Sequence, residues 1–327
     1  MKNIVVNLKI HTPWYRYSNK KYSLEEFDNF LSEIHHFECG EICSINISNC
    51  GVVSINFKDD LSENQLKEFC SIFIYFVSVC NGYNCEFDEL AIIDEIPIPH
   101  FFSYAKEDET TFPLLKNIKF YEISLEDINS IFGDIICKLF SANKLVILSL
   151  LSNYYSIVFY KDFIGNGIHK FRNIVANIES IITTINAKKY LDDENENKEY
   201  FAVLNNISGV SKSKLKKHLS FRRVSLEEKL KDSFEYMEKF GLRFKLNVNK
   251  ECKKIADTRN FVSHLFETDK EYLSETEISD YTAVFEEMFR MLFLEYCGVS
   301  YTLIGEKFLR NAPICIKLKK CFDIETK

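Results

Sequence analysis

The spacing of apolar positions along the chain changes character once, near residue 124. Before that point short alternating runs dominate. Residues 1–10 alternate weakly and predict a strand; Ile45 and Ile47 alternate, then Ile55 and Phe57 after a turn at Asn49-Cys50-Gly51, which predicts a β-hairpin over 44–57. Ser23 with Glu26 predicts a capped helix through about His35. Ser62 with Gln65 predicts another, to about Cys80, with Leu66, Phe69, Phe73 and Val77 on one face and Asn81-Gly82 to stop it. Residues 86–93 predict a further strand, and Pro97, Pro99 and Glu107-Asp108-Glu109 an irregular stretch.

From Ser124 onward the period is helical. Leu125, Ile128, Ile131, Phe132, Ile135 and Leu139 lead into a second run over 145–159, which Gly165 and Gly167 interrupt. A long helix then begins near His169, with Phe171, Ile174, Val175, Ile178, Ile181, Ile182 and Ile185 as its apolar stripe. Helices follow from Ser225 to about Phe240, over 249–266 and over 275–297. The expected fold class is α+β. A mixed, strand-containing domain occupies 1–160, with a helical connector from about 124; an all-helical domain occupies 161–311, and a tail 312–327.

Composition adds bounds to this picture. A chain of 327 residues with 46% hydrophobic and 27% charged residues can bury two cores, and 10 Gly with 5 Pro leave little room for long linkers. Eleven cysteines without framework spacing, and no signal-peptide apolar segment, predict a reduced, cytoplasmic protein. The most apolar runs are too short and interrupted to cross a bilayer, so no membrane association is expected. A net charge of −7 argues against coating nucleic acid by bulk charge, but the charge is uneven. Residues 1–125 hold 10 basic and 19 acidic residues, a net of −9, whereas the remainder holds 31 and 29, a net of +2. Any contact with a polyanion belongs in the C-terminal part.

The stretch with the most chemistry lies in the helix predicted over 249–266: Ala256-Asp257-Thr258-Arg259-Asn260-Phe261-Val262-Ser263-His264. At about 100° per residue, Cys252, Ile255, Val262 and Phe266 share one arc, and Arg259, Asn260, Ser263 and His264 fall on an adjacent arc of about 140°. The small Ala256 and Ser263 lie in that polar arc and predict room for close approach by a second helix or a phosphate. A guanidinium holds phosphate bidentately, an amide binds a phosphate oxygen or fixes an imidazole, and an imidazole moves protons near neutral pH. Those are the parts of a metal-free ribonuclease, in which the RNA 2′-hydroxyl attacks its own phosphate. Such a reaction needs a base, an acid and a cation, and one helix supplies one His. Two copies about a twofold axis would supply two, so a homodimer is expected. The plain alternative for the motif is a solvated helix face.

Three segments in order resemble the HEPN domain of the ApeA type of bacterial anti-phage abortive-infection proteins. They are Phe171-Arg172-Asn173-Ile174-Val175-Ala176-Asn177-Ile178-Glu179-Ser180, then Val224-Ser225-Leu226-Glu227-Glu228-Lys229-Leu230, then Asp257-Thr258-Arg259-Asn260-Phe261-Val262-Ser263-His264. The resemblance covers roughly 165–300. It implies an all-α HEPN bundle, a catalytic set of Arg259, Asn260 and His264, and a dimeric RNA endonuclease that needs no cofactor or metal. It further implies that tRNA or another host or phage RNA is the substrate, and that the N-terminal domain senses a phage-derived trigger or restrains the nuclease.

Other features carry secondary readings. The basic run with Lys212, Lys214, Lys216, Lys217, Arg222 and Arg223 is a candidate RNA-docking patch, or simply a solvated face. Glu179, flanked by Ile178 and Ile181, is either solvated or a partner that orients Arg259 or His264. His35, His36, Cys39, Cys43 and Cys50 have residue types suited to zinc but no standard finger spacing, and would support a metal-dependent hydrolase as a third reading. The second reading is a non-catalytic helical module that binds RNA or a nucleotide, or scaffolds a partner.

Overall fold

The structure is a computed structural model that describes residues 5–10, 33–49, 52–82, 87–92, 123–140, 144–158, 167–190, 224–244, 247–264, 271–309 and 324–326. The fold is α+β. The chain divides into two compact units, Met1–Lys161 with Leu294–Cys315 and Asp162–Phe293 with Ile316–Lys327.

The first unit holds a five-stranded antiparallel sheet in the order β2-β3-β4-β1-β5, built from β1 (Val5–Ile10), β2 (Ile34–Cys39), β3 (Cys43–Ser48), β4 (Val52–Phe57) and β5 (Phe87–Ile92). Strict alternation puts Phe37 and Cys39, then Cys43, Ile45 and Ile47, then Val53, Ile55 and Phe57 on one buried face. Helix α1 (Glu63–Asn81) covers it, with Phe69 edge-on to Phe57 at 4.8 Å. Ser62 and Gln65 form the expected capping box, and the Gly82 N–H closes the C-terminus on the Ser78 carbonyl. A four-residue helix α2 (Leu125–Ile128) and a 3-10 turn (Asn129–Ile131) lead into α3 (Phe132–Leu139), and α4 (Lys144–Val158) follows. Helix α3 approaches β2 so closely that a Cβ at Gly133 would lie 2.2 Å from the Glu38 carbonyl oxygen.

Two expectations change here. Helix through about His35 is wrong at its end, because Ile34 and His35 open strand β2; residues 11–32, where the rest of that helix was expected, lie outside the described residues. Strand β2 turns into β3 through Gly40-Glu41-Ile42, with Gly40 in the left-handed region at φ 56°. The zinc reading fails for the same reason. Alternation sends Cys39 to the buried face, while His36 is exposed and bonded to Asn46 and Glu38. The thiol of Cys43 bonds to Cys39, which with burial holds Cys43 protonated. Among the described residues no group of three or more His, Cys, Asp and Glu is placed to hold a metal ion.

The second unit is helical: α5 (Gly167–Ile185), α6 (Leu226–Met237) with a 3-10 turn (Glu238–Phe240), α7 (Val248–His264) and α8 (Glu275–Cys297), whose last turn belongs to the first unit. The first unit also takes α9 (Tyr301–Leu309). Phe285 of α8 is the hub of the helical core, 6.4 Å from Phe171 of α5 and 6.2 Å from Phe234 of α6. Each such buried ring contributes on the order of 1.5–3 kcal/mol relative to an exposed one. Two strands went unforeseen. Strand β6 (Leu242–Phe244) pairs antiparallel with β7 (Ile324–Thr326), so the expected tail supplies a strand. Among the described residues no helix is long and apolar enough to cross a membrane.

Candidate functional site

Helix α7 is fixed at both ends and along one side before its polar residues come into play. The Asn247 side chain accepts from the Lys250 N–H and starts the helix. Cys252, Ile255 and Ala256 are buried, while Glu251 accepts from the Tyr281 hydroxyl at 2.6 Å and Lys254 pairs with Glu277 at 2.9 Å, both on α8. Thr258 is buried beside the motif; its hydroxyl donates to the Lys254 carbonyl at 2.8 Å and accepts the Leu273 N–H at 2.9 Å. Phe261 stacks obliquely on Tyr272 at 4.7 Å. The helix is therefore held against its neighbours by side chains on either side of Arg259. The room expected at Ala256 is already filled, since its side chain is buried by the unit's own packing.

Arg259 lies where the apolar and polar arcs meet, and its surroundings reflect that. Its side chain is only 25% exposed, and its Nε is buried with no hydrogen-bond partner among the described residues. Nη1 donates to Asn260 Oδ1 at 3.2 Å, and Nη2 lies 3.6 Å from the Glu179 carboxylate on α5. Glu179 is thus not solvated on the far side of its helix. Its other oxygen accepts from Lys229 Nζ of α6 at 3.1 Å. One carboxylate from α5 consequently links the motif arginine of α7 to a lysine of α6.

Asn260 is exposed, and Ser263 closes its hydroxyl on the Arg259 carbonyl at 2.8 Å. His264 is the last residue of α7, four positions beyond Asn260. Lys212, Lys214, Lys216, Lys217, Arg222 and Arg223 lie outside the described residues, as does Cys50. Lys229 was missed as a site residue. It was legible only as a lysine inside a capped amphipathic helix, and nothing in its own segment says that it meets an acid 50 positions away.

Arg259, Asn260 and His264 thus stand late on one helix of a helical bundle. Residues 172–303 match the family model described as Apea-like HEPN, and this part of the chain is an ApeA-type HEPN domain. No curated protein and no solved structure matches the chain. The match makes this a HEPN-type, defence-associated module, of a class whose members are commonly ribonucleases.

Proposed function

We propose that the protein is a metal-independent RNA endonuclease acting in bacterial anti-phage abortive infection, with Arg259, Asn260 and His264 as its catalytic set and tRNA or another host or phage RNA as its substrate. The observation that carries this reading is the state of Arg259. It is half-buried, steered by Asn260 and Glu179, and left among the described residues with more donors than acceptors around it, on the helix that also bears His264.

In the reaction a base takes the proton of the RNA 2′-hydroxyl as its oxygen bonds to phosphorus. The bond from phosphorus to the 5′-oxygen breaks, and an acid delivers a proton to that leaving oxygen. The products are a 2′,3′-cyclic phosphate and a free 5′-hydroxyl. Arg259 holds the phosphate and stabilises the charge that develops on its oxygens. His264 serves as acid or base, and a second copy of the chain supplies the other imidazole across a twofold axis. The first unit is the place for a sensor of infection, and the basic run over 212–223 for docking of RNA.

The test is cleavage of total tRNA in the presence of EDTA by wild type, Arg259→Ala and His264→Ala. Loss of cleavage by at least about 100-fold in both variants, with fold retained, is expected for groups that act in the transition state. Cleavage that persists in either variant, or that EDTA abolishes, would refute this chemistry. A wild type that binds RNA without cutting it, with or without infected-cell extract, would make the protein a binding module.

A further inference from the structure

We infer that Glu179 and Lys229 form a charge-balanced positioning pair for Arg259, in which Glu179 orients the guanidinium and Lys229 cancels the cost of having a carboxylate there. The inference rests on the reading of Arg259 as the phosphate-holding group. Its ground is the juxtaposition of three side chains from three helices. Glu179 Oε1 lies 3.1 Å from Lys229 Nζ and Glu179 Oε2 lies 3.6 Å from Arg259 Nη2.

A carboxylate beside an arginine fixes the plane of the guanidinium, but it also neutralises the arginine and repels a phosphodiester. A lone Glu179–Arg259 pair would have no net charge to offer. With Lys229 on the other oxygen the cluster is two cations and one anion, a net of +1. Lys229 is 17% exposed and Glu179 29%, so solvent screens this balance less than it would at an open surface. Asn260, the remaining side-chain partner of Arg259 among the described residues, is neutral and leaves the sum unchanged. The 3.6 Å separation exceeds hydrogen-bond length, so the guanidinium is guided rather than consumed by Glu179.

The inference separates affinity from turnover, which a merely structural ion pair would not do. Four variants of the full chain test it: Glu179→Gln, Lys229→Gln, Lys229→Arg and the double Glu179→Gln/Lys229→Gln. Binding is read by fluorescence anisotropy with a 2′-O-methyl RNA oligonucleotide, which cannot be cleaved because its 2′-oxygen is blocked. Turnover is read as kcat and KM on tRNA.

Lys229→Gln leaves the cluster neutral and is expected to bind the oligonucleotide about tenfold more weakly, with Lys229→Arg restoring it. Glu179→Gln raises the net charge and is expected to bind more tightly than wild type while its kcat falls, because the guanidinium loses its guide. The double variant returns the charge to that of wild type, so its affinity recovers and its kcat stays low. Should Lys229→Gln not fold, Glu179→Gln against the double variant reads the same balance.

Affinity that falls in Glu179→Gln, or a double variant no better than Lys229→Gln, would overturn the inference, as would a wild type that does not bind the oligonucleotide. The expected order of affinities without any cleavage by wild type would refute the ribonuclease reading alone. Cleavage that depends on Arg259 and His264, without that order, would refute the balancing role alone.

Discussion

Thr258 uses one oxygen to do two things next to the motif, and both are backbone contacts. It ties α7 to itself through the Lys254 carbonyl and ties the start of the Leu273 segment to α7. Thr258→Val keeps the shape and removes both bonds, stranding the buried Leu273 N–H. A loss of about 1–3 kcal/mol in urea unfolding is expected, with Thr258→Ser close to wild type. Glu287 makes the opposite kind of demand. It is fully buried on α8, and desolvation pushes its carboxyl up to about 8 despite Arg290 at 3.9 Å, with Glu286 adding to the rise. A carboxyl with a raised folded pKa binds its proton more tightly folded than unfolded. Stability is then highest below the unfolded value of about 4.3 and declines as pH rises towards 8. Glu287→Gln should flatten that decline, seen as a smaller difference in melting temperature between pH 6 and pH 9 than in wild type.

At the scale of elements, the helices were the most legible part because their signals are local. Ser62 with Gln65 and Ser225 with Glu228 form complete capping boxes, and α8 runs over the predicted 275–297. Ser225→Ala should cost about 1 kcal/mol and fray α6 at the end that leads to Lys229, measurable as a lower unfolding midpoint. Strand β2 was hidden because its residues carry a competing chemical meaning. Phe37, Cys39, Cys43 and Ile45 alternate through the Gly40 turn, but His35, His36 and the two cysteines drew attention as ligands. Strands β6 and β7 have three residues each, too few for any period to show, and their pairing spans some 80 residues of chain. The close approach at Gly133 was equally invisible, since a glycine early in a helix reads as a weakness. Gly133→Ala must move α3 away from the Glu38 carbonyl, and the expected result is a destabilisation of several kcal/mol in equilibrium unfolding. The site was half legible. Arg259, Asn260 and His264 announce themselves within one helix, whereas the link from Glu179 to Lys229 exists only after α5 and α6 have packed.

For the molecule as a whole, a site completed by a second copy makes concentration a variable. If the proposed twofold pairing supplies the second His264, specific activity should fall on dilution together with the dimer fraction. Cleavage rates and sedimentation measured across the same concentration series check this; activity that stays constant while the dimer dissociates would place the whole reaction in one chain.

Each compact unit is assembled from two separate stretches, and the chain passes between them at residues 161/162, 293/294 and 315/316. Such interleaved connectivity makes the outcome of a single cut depend on where it falls. A cut at 161 keeps the helical unit whole, since 162–293 and 316–327 stay on one fragment, but it parts the 294–315 stretch from the rest of the first unit; a cut at 293 leaves neither unit whole. A protease nick would behave the same way. Release of the HEPN unit by a single cleavage is therefore open at 161 and closed at 293, and the released fragment carries the first unit's 294–315 stretch with it.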